Sequence, residues 1–238
     1  MAGRIAYYGN IVSNGLVLYL DAANKASYPR SGNIWYDLSG YKNNCTLNAT
    51  NPPVYEDVNR WFKFTATSST RATIPSNSTL NFGTGDFTVL HFSQHPLAGN
   101  TTGGCVLFKG ARFDAGRAGW MVTSHAGTPL YNVISNGSSR IEMALFPNIS
   151  TFSLGLYGMM RSNGVIYAIN NGVLSTGQTN YGSFTGNVDS ADDISIGYNP
   201  VYGTFWNGSI SNILLYNKAL SQQSLTQINN ALKIRFRI

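Results

Sequence analysis

The chain has 238 residues, with 16 lysines and arginines against 10 aspartates and glutamates, and a formal net charge of +6. This length suits one β-sandwich with a substantial core, since a chain of this size buries roughly 70% of its unfolded surface. Charged residues make up only 11% of the chain, against ~25% in typical soluble domains, which excludes a surface dominated by dense ion-pair networks.

The first 14 residues differ from the rest of the chain. Their apolar side chains are Ile5, Tyr7, Tyr8, Ile11 and Val12. A segment this apolar is unlike a disordered leader. We therefore predict an N-terminal arm, residues 1–14, whose Arg4, Ile5, Tyr7 and Tyr8 contact another protein. The arm has no apolar run of the kind that opens a secretory signal, so we expect no signal peptide and synthesis in the cytoplasm.

Residues 15–220 show a hydrophobic period of two. Short alternating or apolar runs occur at 16–20, 62–64, 72–74, 87–92, 106–108, 120–122, 165–169, 194–196 and 213–216. They are rich in β-branched and aromatic residues, which favour strands, and Gly, Asn, Ser and Pro separate them. Asn170-Asn171-Gly172 predicts a tight hairpin. The pattern predicts an antiparallel sandwich or barrel.

One segment has helical spacing. Leu220, Leu225, Ile228 and Leu232 recur near a period of 3.6, and Ser221 is a suitable N-cap. We predict a single helix from about Leu220 to Lys233. We assign residues 221–238 to a C-terminal segment made of this helix and a basic tail. In that tail Arg235, Phe236 and Arg237 are candidate contacts for a partner protein.

The distribution of charge and cysteine limits the partners. The basic residues are scattered, except for Lys233, Arg235 and Arg237, whereas nucleic-acid binding needs them on one face. No apolar run approaches the 18 residues of a membrane span. The two cysteines, Cys45 and Cys105, are expected to be free thiols. We expect neither nucleic acid nor a membrane as partner.

The acidic residues do not predict an active site. A glycosidase needs two carboxyl groups flanking the scissile bond, but the only glutamates, Glu56 and Glu142, are far apart in sequence. Asp192 and Asp193 are adjacent, so in a strand they would point to opposite faces. His91 and His95 would lie ~13 Å apart on a strand, too far to share a metal ion. We expect no catalytic residues, metal or cofactor.

Four tryptophans are candidates for stacking on a sugar: Trp35, Trp61, Trp120 and Trp206. Each lies in or beside an apolar run, and packing in the core is the commoner role of such residues. If any of them binds carbohydrate, Trp35 and Trp206 are the two we would choose.

Several motifs resemble a known family. They are Leu18-Tyr19-Leu20-Asp21, Trp35-Tyr36-Asp37-Leu38-Ser39-Gly40, Asn43-Asn44, Trp61-Phe62-Lys63-Phe64, Ile74-Pro75, Gly85-Asp86-Phe87-Thr88-Val89, Ile196-Gly197, Phe205-Trp206-Asn207-Gly208-Ser209-Ile210 and Leu215-Tyr216-Asn217-Lys218-Ala219-Leu220-Ser221. Together they are similar to a laminin-G-like, concanavalin A-like jelly roll over residues 15–230. The resemblance implies a two-sheet antiparallel sandwich of the lectin and glucanase kind. Some members of this family bind calcium, but Tyr41-Lys42 replaces the family's Asn-Gly in the relevant turn.

The two ends resemble the version of this domain found in tailed-phage virions, at residues 5–12 and 227–236. That resemblance implies a non-enzymatic virion protein, a decoration or cement protein bound to the major capsid protein or other virion proteins. We expect a homotrimer or a similar symmetric oligomer seated on capsomers, since most soluble oligomers are symmetric homo-oligomers. The alternative is a carbohydrate-binding module of a tail fibre or adhesin that recognises a glycan on the host surface.

Overall fold

The structure is a computed structural model, and it describes residues 10–95, 104–111, 116–124, 130–144, 152–175 and 183–237. Within these ranges the chain forms eighteen strands and one α-helix. The strands are β1 (Leu16–Asp21), β2 (Ile34–Trp35), β3 (Cys45–Leu47), β4 (Val54–Glu56), β5 (Trp61–Phe64), β6 (Ala72–Ile74), β7 (Phe87–His95), β8 (Gly104–Lys109), β9 (Ala118–Ser124), β10 (Leu130–Asn136), β11 (Arg140–Ala144), β12 (Phe152–Ser162), β13 (Val165–Asn170), β14 (Val173–Leu174), β15 (Ile194–Ile196), β16 (Tyr198–Asn199), β17 (Thr204–Phe205) and β18 (Gly208–Tyr216).

Sixteen of these strands form two antiparallel sheets. Sheet A has the order β14-β13-β12-β7-β18-β5-β4, with β1 also paired to β18, and sheet B has the order β11-β10-β9-β8-β15-β6-β3-β2. Strands β16 and β17 form a separate hairpin. The predicted two-sheet jelly-roll sandwich is confirmed.

The main hydrophobic core lies between the two sheets. Sheet A contributes Phe62, Phe64 and Ile213, while sheet B contributes Trp120 and Ile194, and all five are completely or almost completely buried. Alternation along each strand sends these side chains to the inner face. Cys45 and Cys105 lie on sheet B, both buried and unpaired, and burial raises the pKa of both thiols.

A second core covers the outer face of sheet A. The helix α1 (Gln222–Phe236) packs Leu225, Ile228 and Leu232 against this face, where Leu90 and Tyr216 are also fully buried. The central strands of sheet A are therefore buried on both faces, which explains why β1 and the second half of β18, residues 213–216, read as continuous apolar runs.

The ends of α1 agree only partly with the sequence. Ser221 caps the helix as predicted, with its hydroxyl accepting from the backbone N–H of Ser224 at 3.1 Å. The predicted end at Lys233 is wrong, because Ile234, Arg235 and Phe236 continue the helix and Arg237 is its C-cap. The helix extends this far because the ring of Phe236 stacks on Phe92 of β7, at 5.3 Å between centroids.

The predicted hairpin at Asn170-Asn171-Gly172 is confirmed. Asn171 and Gly172 have φ of 50° and 75°, so both central residues occupy the left-handed region that a type I′ turn requires. Two helix side chains hold this turn: Gln222 donates to the carbonyl of Gly172 at 2.8 Å, and Asn229 donates to that of Asn171 at 2.7 Å. A locally encoded turn thus becomes a docking point for α1. Among the described residues, no helix is long and apolar enough to span a membrane.

Candidate functional site

The two tryptophans chosen as sugar platforms lie in the core. Trp35 and Trp206 are both 0% exposed. Trp35 packs against Phe62 with ring centroids 4.8 Å apart, and Trp206 packs against Phe64 at 6.0 Å. A ring without an exposed face cannot stack on a ligand, so the assignment of these two residues to a sugar platform is corrected. Their role is to fill the space between the sheets.

The turn after Trp35, which resembles the family's calcium-binding turn, is held together by Asp37. Its carboxylate accepts from the backbone N–H groups of Tyr19 at 2.9 Å, Ser39 at 2.8 Å and Asn43 at 3.0 Å. It also accepts from the Ser39 hydroxyl at 2.7 Å. These bonds tie the turn to β1, so Asp37 acts as an anchor for the backbone. Within the described ranges, no three His, Cys, Asp or Glu side chains are grouped to hold a metal ion.

The two glutamates lie on different sheets, Glu56 on β4 of sheet A and Glu142 on β11 of sheet B. The Asn59 amide donates to Glu56 at 2.8 Å and the Trp61 indole donates at 2.7 Å. These hydrogen bonds, the one from Asn59 foremost, lower the pKa of Glu56. Glu142 accepts from the Arg140 guanidinium at 2.6 Å. Both carboxylates are thus engaged by neighbours on their own sheet.

A cleft of about 370 Å³ opens on the outer face of sheet A, where α1 ends and leaves this face uncovered. Its lining comes from the β4–β5 turn, the start of β5, strands β7 and β12 of sheet A, and the end of α1. The lining residues are Val58, Asn59, Arg60, Trp61, Gln94, Leu154, Arg235, Phe236 and Arg237.

Trp61 gives this cleft its aromatic surface. In β5 the side chains alternate, with Phe62 and Phe64 in the core and Trp61 and Lys63 on the outer face. The Trp61 ring is partly exposed, and the hydrogen bond from its indole to Glu56 fixes its orientation. Sequence reasoning did not select Trp61, although the alternation Trp-Phe-Lys-Phe already places it on the face opposite to the core phenylalanines.

The structure places Arg235, Phe236 and Arg237 in the wall of the cleft, rather than on a free tail. Arg235 forms an ion pair with Asp21, a residue of β1 that is completely buried. Phe236 is half-buried against Phe92. These contacts fix the end of α1, so three residues predicted as partner contacts form a rigid part of the domain surface.

The predicted arm is described only from residue 10 onward. Ile11 is buried in the outer core, and the Tyr216 hydroxyl donates to the carbonyl of Val12 at 2.9 Å. Gln227 of α1 donates to the carbonyl of Asn10 at 2.8 Å. Residues 10–12 are therefore part of the folded domain. The arm residues Arg4, Ile5, Tyr7 and Tyr8 lie outside the described residues.

No protein-family profile and no curated protein sequence matches the chain. Its fold, in contrast, is similar to many solved structures. The binding domain of botulinum neurotoxin DC, in a complex with rat synaptotagmin II, has a TM-score of 0.64 and 13% identity, covering 93% of this chain and 52% of that one. The binding domain of Paraclostridial mosquitocidal protein 1 has a TM-score of 0.66 and 15% identity, covering 92% and 53%.

A sialidase of Trypanosoma rangeli, in a complex with sialic acid, has a TM-score of 0.60 and 13% identity, covering 92% of this chain and 33% of that one. The chain thus spans about half the length of the toxin binding domains that it resembles. At these identities the similarity concerns the fold alone. The chain has the two-sheet jelly-roll fold that is found in lectin-like binding domains.

Proposed function

We propose that this chain is a carbohydrate-binding domain and that the cleft beside the end of α1 holds the sugar. The observation that carries this proposal is the composition of the cleft: a partly exposed indole, two amide side chains and three guanidinium groups around one concave surface. Small-molecule sites combine an apolar surface with a few polar groups in this way, and typical volumes begin near 300 Å³.

The geometry suits a sugar ring. One face of a pyranose presents C–H groups that pack on an aromatic ring, and Trp61 offers such a ring with its orientation fixed by Glu56. Asn59, from the β4–β5 turn, and Gln94, from β7, bring amide groups to the same cleft, where amides can both donate to and accept from hydroxyl groups. Leu154 and Phe236 add apolar surface.

The similar structures support the same proposal. One is a complex of a neurotoxin binding domain with sialylT, and another concerns entry of botulinum neurotoxin type C through interaction with two ganglioside molecules. Each of these proteins is about twice as long as the matched region, so their ligands indicate only the class of ligand to test.

We further propose binding without bond cleavage. The Glu56 carboxylate is beside the cleft, but its hydrogen bonds lower its pKa, which is the opposite of what the general acid of a glycosidase needs. A glycan array followed by calorimetry on the full chain tests the proposal. We expect at least one glycan to bind and Trp61→Ala to weaken it more than tenfold, while Tyr41→Ala, which removes an exposed aromatic residue outside the cleft, has no effect. Absence of binding to every glycan would refute the proposal.

A role in a virion is the second candidate function, and the fixed position of residues 10–12 favours it. Residues 10–12 are fixed against α1 and β18, so a preceding segment has a defined point of departure from which to reach a neighbouring capsid protein. Its test is deletion of residues 1–9, which spares the buried Ile11. Reduced occupancy on purified particles is expected, and copy number by mass spectrometry separates a shell protein from a fibre component. Unchanged occupancy would exclude the arm as the attachment.

A further inference from the structure

We infer that the cleft selects an acidic sugar and binds the carboxylate of that sugar through Arg60 and Arg237. This inference rests on the proposed carbohydrate-binding function and concerns the class of sugar. Arg60 comes from the β4–β5 turn, whereas Arg235 and Arg237 come from the end of α1. The fold brings these three cations together from distant parts of the chain, and the described residues that line the cleft include no carboxylate.

Only one of the three arginines is neutralised. Arg235 pairs with the buried carboxylate of Asp21. For the side chains of Arg60 and Arg237, the described part of the chain provides neither a hydrogen-bond acceptor nor an ion-pair partner, although both residues are fixed through their backbones. The N–H of Arg60 donates to the carbonyl of Glu56 at 2.7 Å, and the N–H of Arg237 donates to that of Ile234 at 3.3 Å. Two guanidinium groups are therefore available to a ligand.

The carboxylates near the cleft already form hydrogen bonds or ion pairs with other residues. Glu56 accepts from Asn59 and Trp61 and lies 3.8 Å from the Lys63 ammonium group. Asp57 pairs with Arg30 at 2.8 Å. The C-terminal end of a helix carries about half a negative charge, which is smaller than the charge of either available arginine. The cleft is therefore positive, and it favours an anion over a neutral sugar.

The chemistry of the cations specifies the anion further. A guanidinium group is a planar fork of donors that matches the two oxygens of a carboxylate, and such bidentate pairs combine strength with fixed orientation. With Trp61 and Phe236 offering apolar surface beside the forks, the complementary ligand has a carboxylate attached directly to a pyranose ring. Sialic acids and uronic acids share this chemistry.

Calorimetry with the full chain tests the inference with four probes: 3′-sialyllactose, a hyaluronan tetrasaccharide, lactose and a sulfated oligosaccharide that carries no carboxylate. We expect the sialylated or the uronic-acid probe to bind at least tenfold more tightly than lactose. Whichever of these two probes has the higher affinity shows whether the carboxylate belongs to a sialic acid or to a uronic acid. The affinity should fall as salt concentration rises. If the sulfated probe binds more tightly than both carboxylate probes, the assignment of a carboxylate ligand is wrong.

Variants can be matched closely, because Arg60 and Arg237 have φ of 59° and 57°, a region that asparagine tolerates. Arg60→Asn and Arg237→Asn should each weaken binding of the acidic probe about tenfold or more and weaken binding of lactose much less. The control is Lys42→Asn, an exposed cation with φ of 61° outside the cleft, which should change nothing. If lactose binds as well as the acidic probes and neither arginine variant matters, this inference fails while the proposed function stands. If no sugar of any kind binds, the proposed function itself fails.

Discussion

Arg235, in the last turn of α1, forms an ion pair with Asp21, the completely buried final residue of β1. The Asp21 carboxylate also accepts from the Tyr19 hydroxyl at 2.7 Å and from the backbone N–H of Ala23 at 3.0 Å. Through these bonds β1 holds the last turn of α1 in place. That part of the helix forms one wall of the cleft.

Replacing this carboxylate should destabilise the domain. In Asp21→Asn the hydrogen-bond acceptor is retained but Arg235 loses its counter-charge. Breaking a fully buried ion pair costs about 3 to 5 kcal/mol, and since the Arg235 side chain is 23% exposed and can turn toward water, we expect about 2 to 3 kcal/mol. The free energy of unfolding in urea measures this loss.

The matched control is Asp57→Asn, which breaks the exposed pair between Asp57 and Arg30, with side chains 63% and 36% exposed. Exposed pairs contribute about 1 kcal/mol or less. Equal losses for the two variants would show that Asp21 does not anchor the helix in the way that we describe.

Arg161 is predicted to be the most important buried cation for stability. It is fully buried on β12, and it donates to the carbonyls of Gly83 at 2.7 Å, Gly85 at 2.8 Å and Gly186 at 2.8 Å. Its guanidinium also lies 5.1 Å from the centroid of the Phe87 ring. It therefore joins two loops, at 83–85 and at 186, to strand β12 of sheet A.

Arg161→Lys should lower the free energy of unfolding by about 2 to 4 kcal/mol. A single ammonium group, on a side chain of shorter total reach, cannot contact all three carbonyls, and each unsatisfied buried acceptor costs about 1 to 3 kcal/mol. Arg140→Lys, at an exposed position, should cost less than about 0.5 kcal/mol. Similar unfolding curves for both variants would contradict the role of Arg161.

His91 should make stability depend on pH. It is completely buried on β7, where burial lowers its pKa to about 3, and its Nδ1 lies 2.7 Å from the Ser93 hydroxyl. In the unfolded chain a histidine has a pKa of about 6.5. Between these two values the unfolded state binds a proton that the folded state does not, so the stability present above pH 6.5 is lost as the pH falls toward 3.

The test compares the wild type with His91→Gln by urea unfolding at several pH values between 3.5 and 8. Between pH 6.5 and the folded pKa, the stability of the wild type should fall more steeply than that of the variant, by about 1.4 kcal/mol per pH unit. Above pH 7 the difference between the two proteins should be constant. Parallel curves across the whole range would mean that His91 binds protons equally in the folded and unfolded states, which contradicts its lowered pKa.

Gly172 tests the docking of the β13–β14 hairpin on α1. Its φ is +75°, and a Cβ atom at this position would lie 2.6 Å from the Cβ of Asn229. Gly172→Ala therefore combines backbone strain of about 1 to 2 kcal/mol with a collision against the helix. Gly32→Ala, at φ +84° with no atom within 4 Å of the added Cβ, should show the backbone strain alone. The unfolding free energies should differ by at least about 1 kcal/mol, and equal values would mean that the helix is not held at this turn.

The features that sequence reasoning predicted correctly are local ones. The Asn171-Gly172 turn and the Ser221 cap depend on the conformational preferences of a few adjacent residues. The sandwich itself follows from alternation repeated over many short segments. In the same way, the alternation in β5 is enough to place Trp61 on the face opposite to Phe62.

The features that sequence reasoning missed depend on contacts between distant segments. Trp35 belongs to a strand of two residues, which is too short for alternation to indicate its face. The end of α1 at Phe236 depends on Phe92, and the cleft depends on the approach of Arg60 to Arg237. None of these pairs is near in sequence.

The sequence by itself determined that this chain alternates between two faces, turns at defined residues and ends in a capped amphipathic helix, since each of these properties is encoded within a few residues. Only the tertiary structure decided which faces are covered. Sheet A is buried by sheet B on one side and partly by α1 on the other, and the concave surface exists where the helix stops. That boundary is set by packing between distant side chains, Phe236 on Phe92 and Arg235 on Asp21, which no local pattern records.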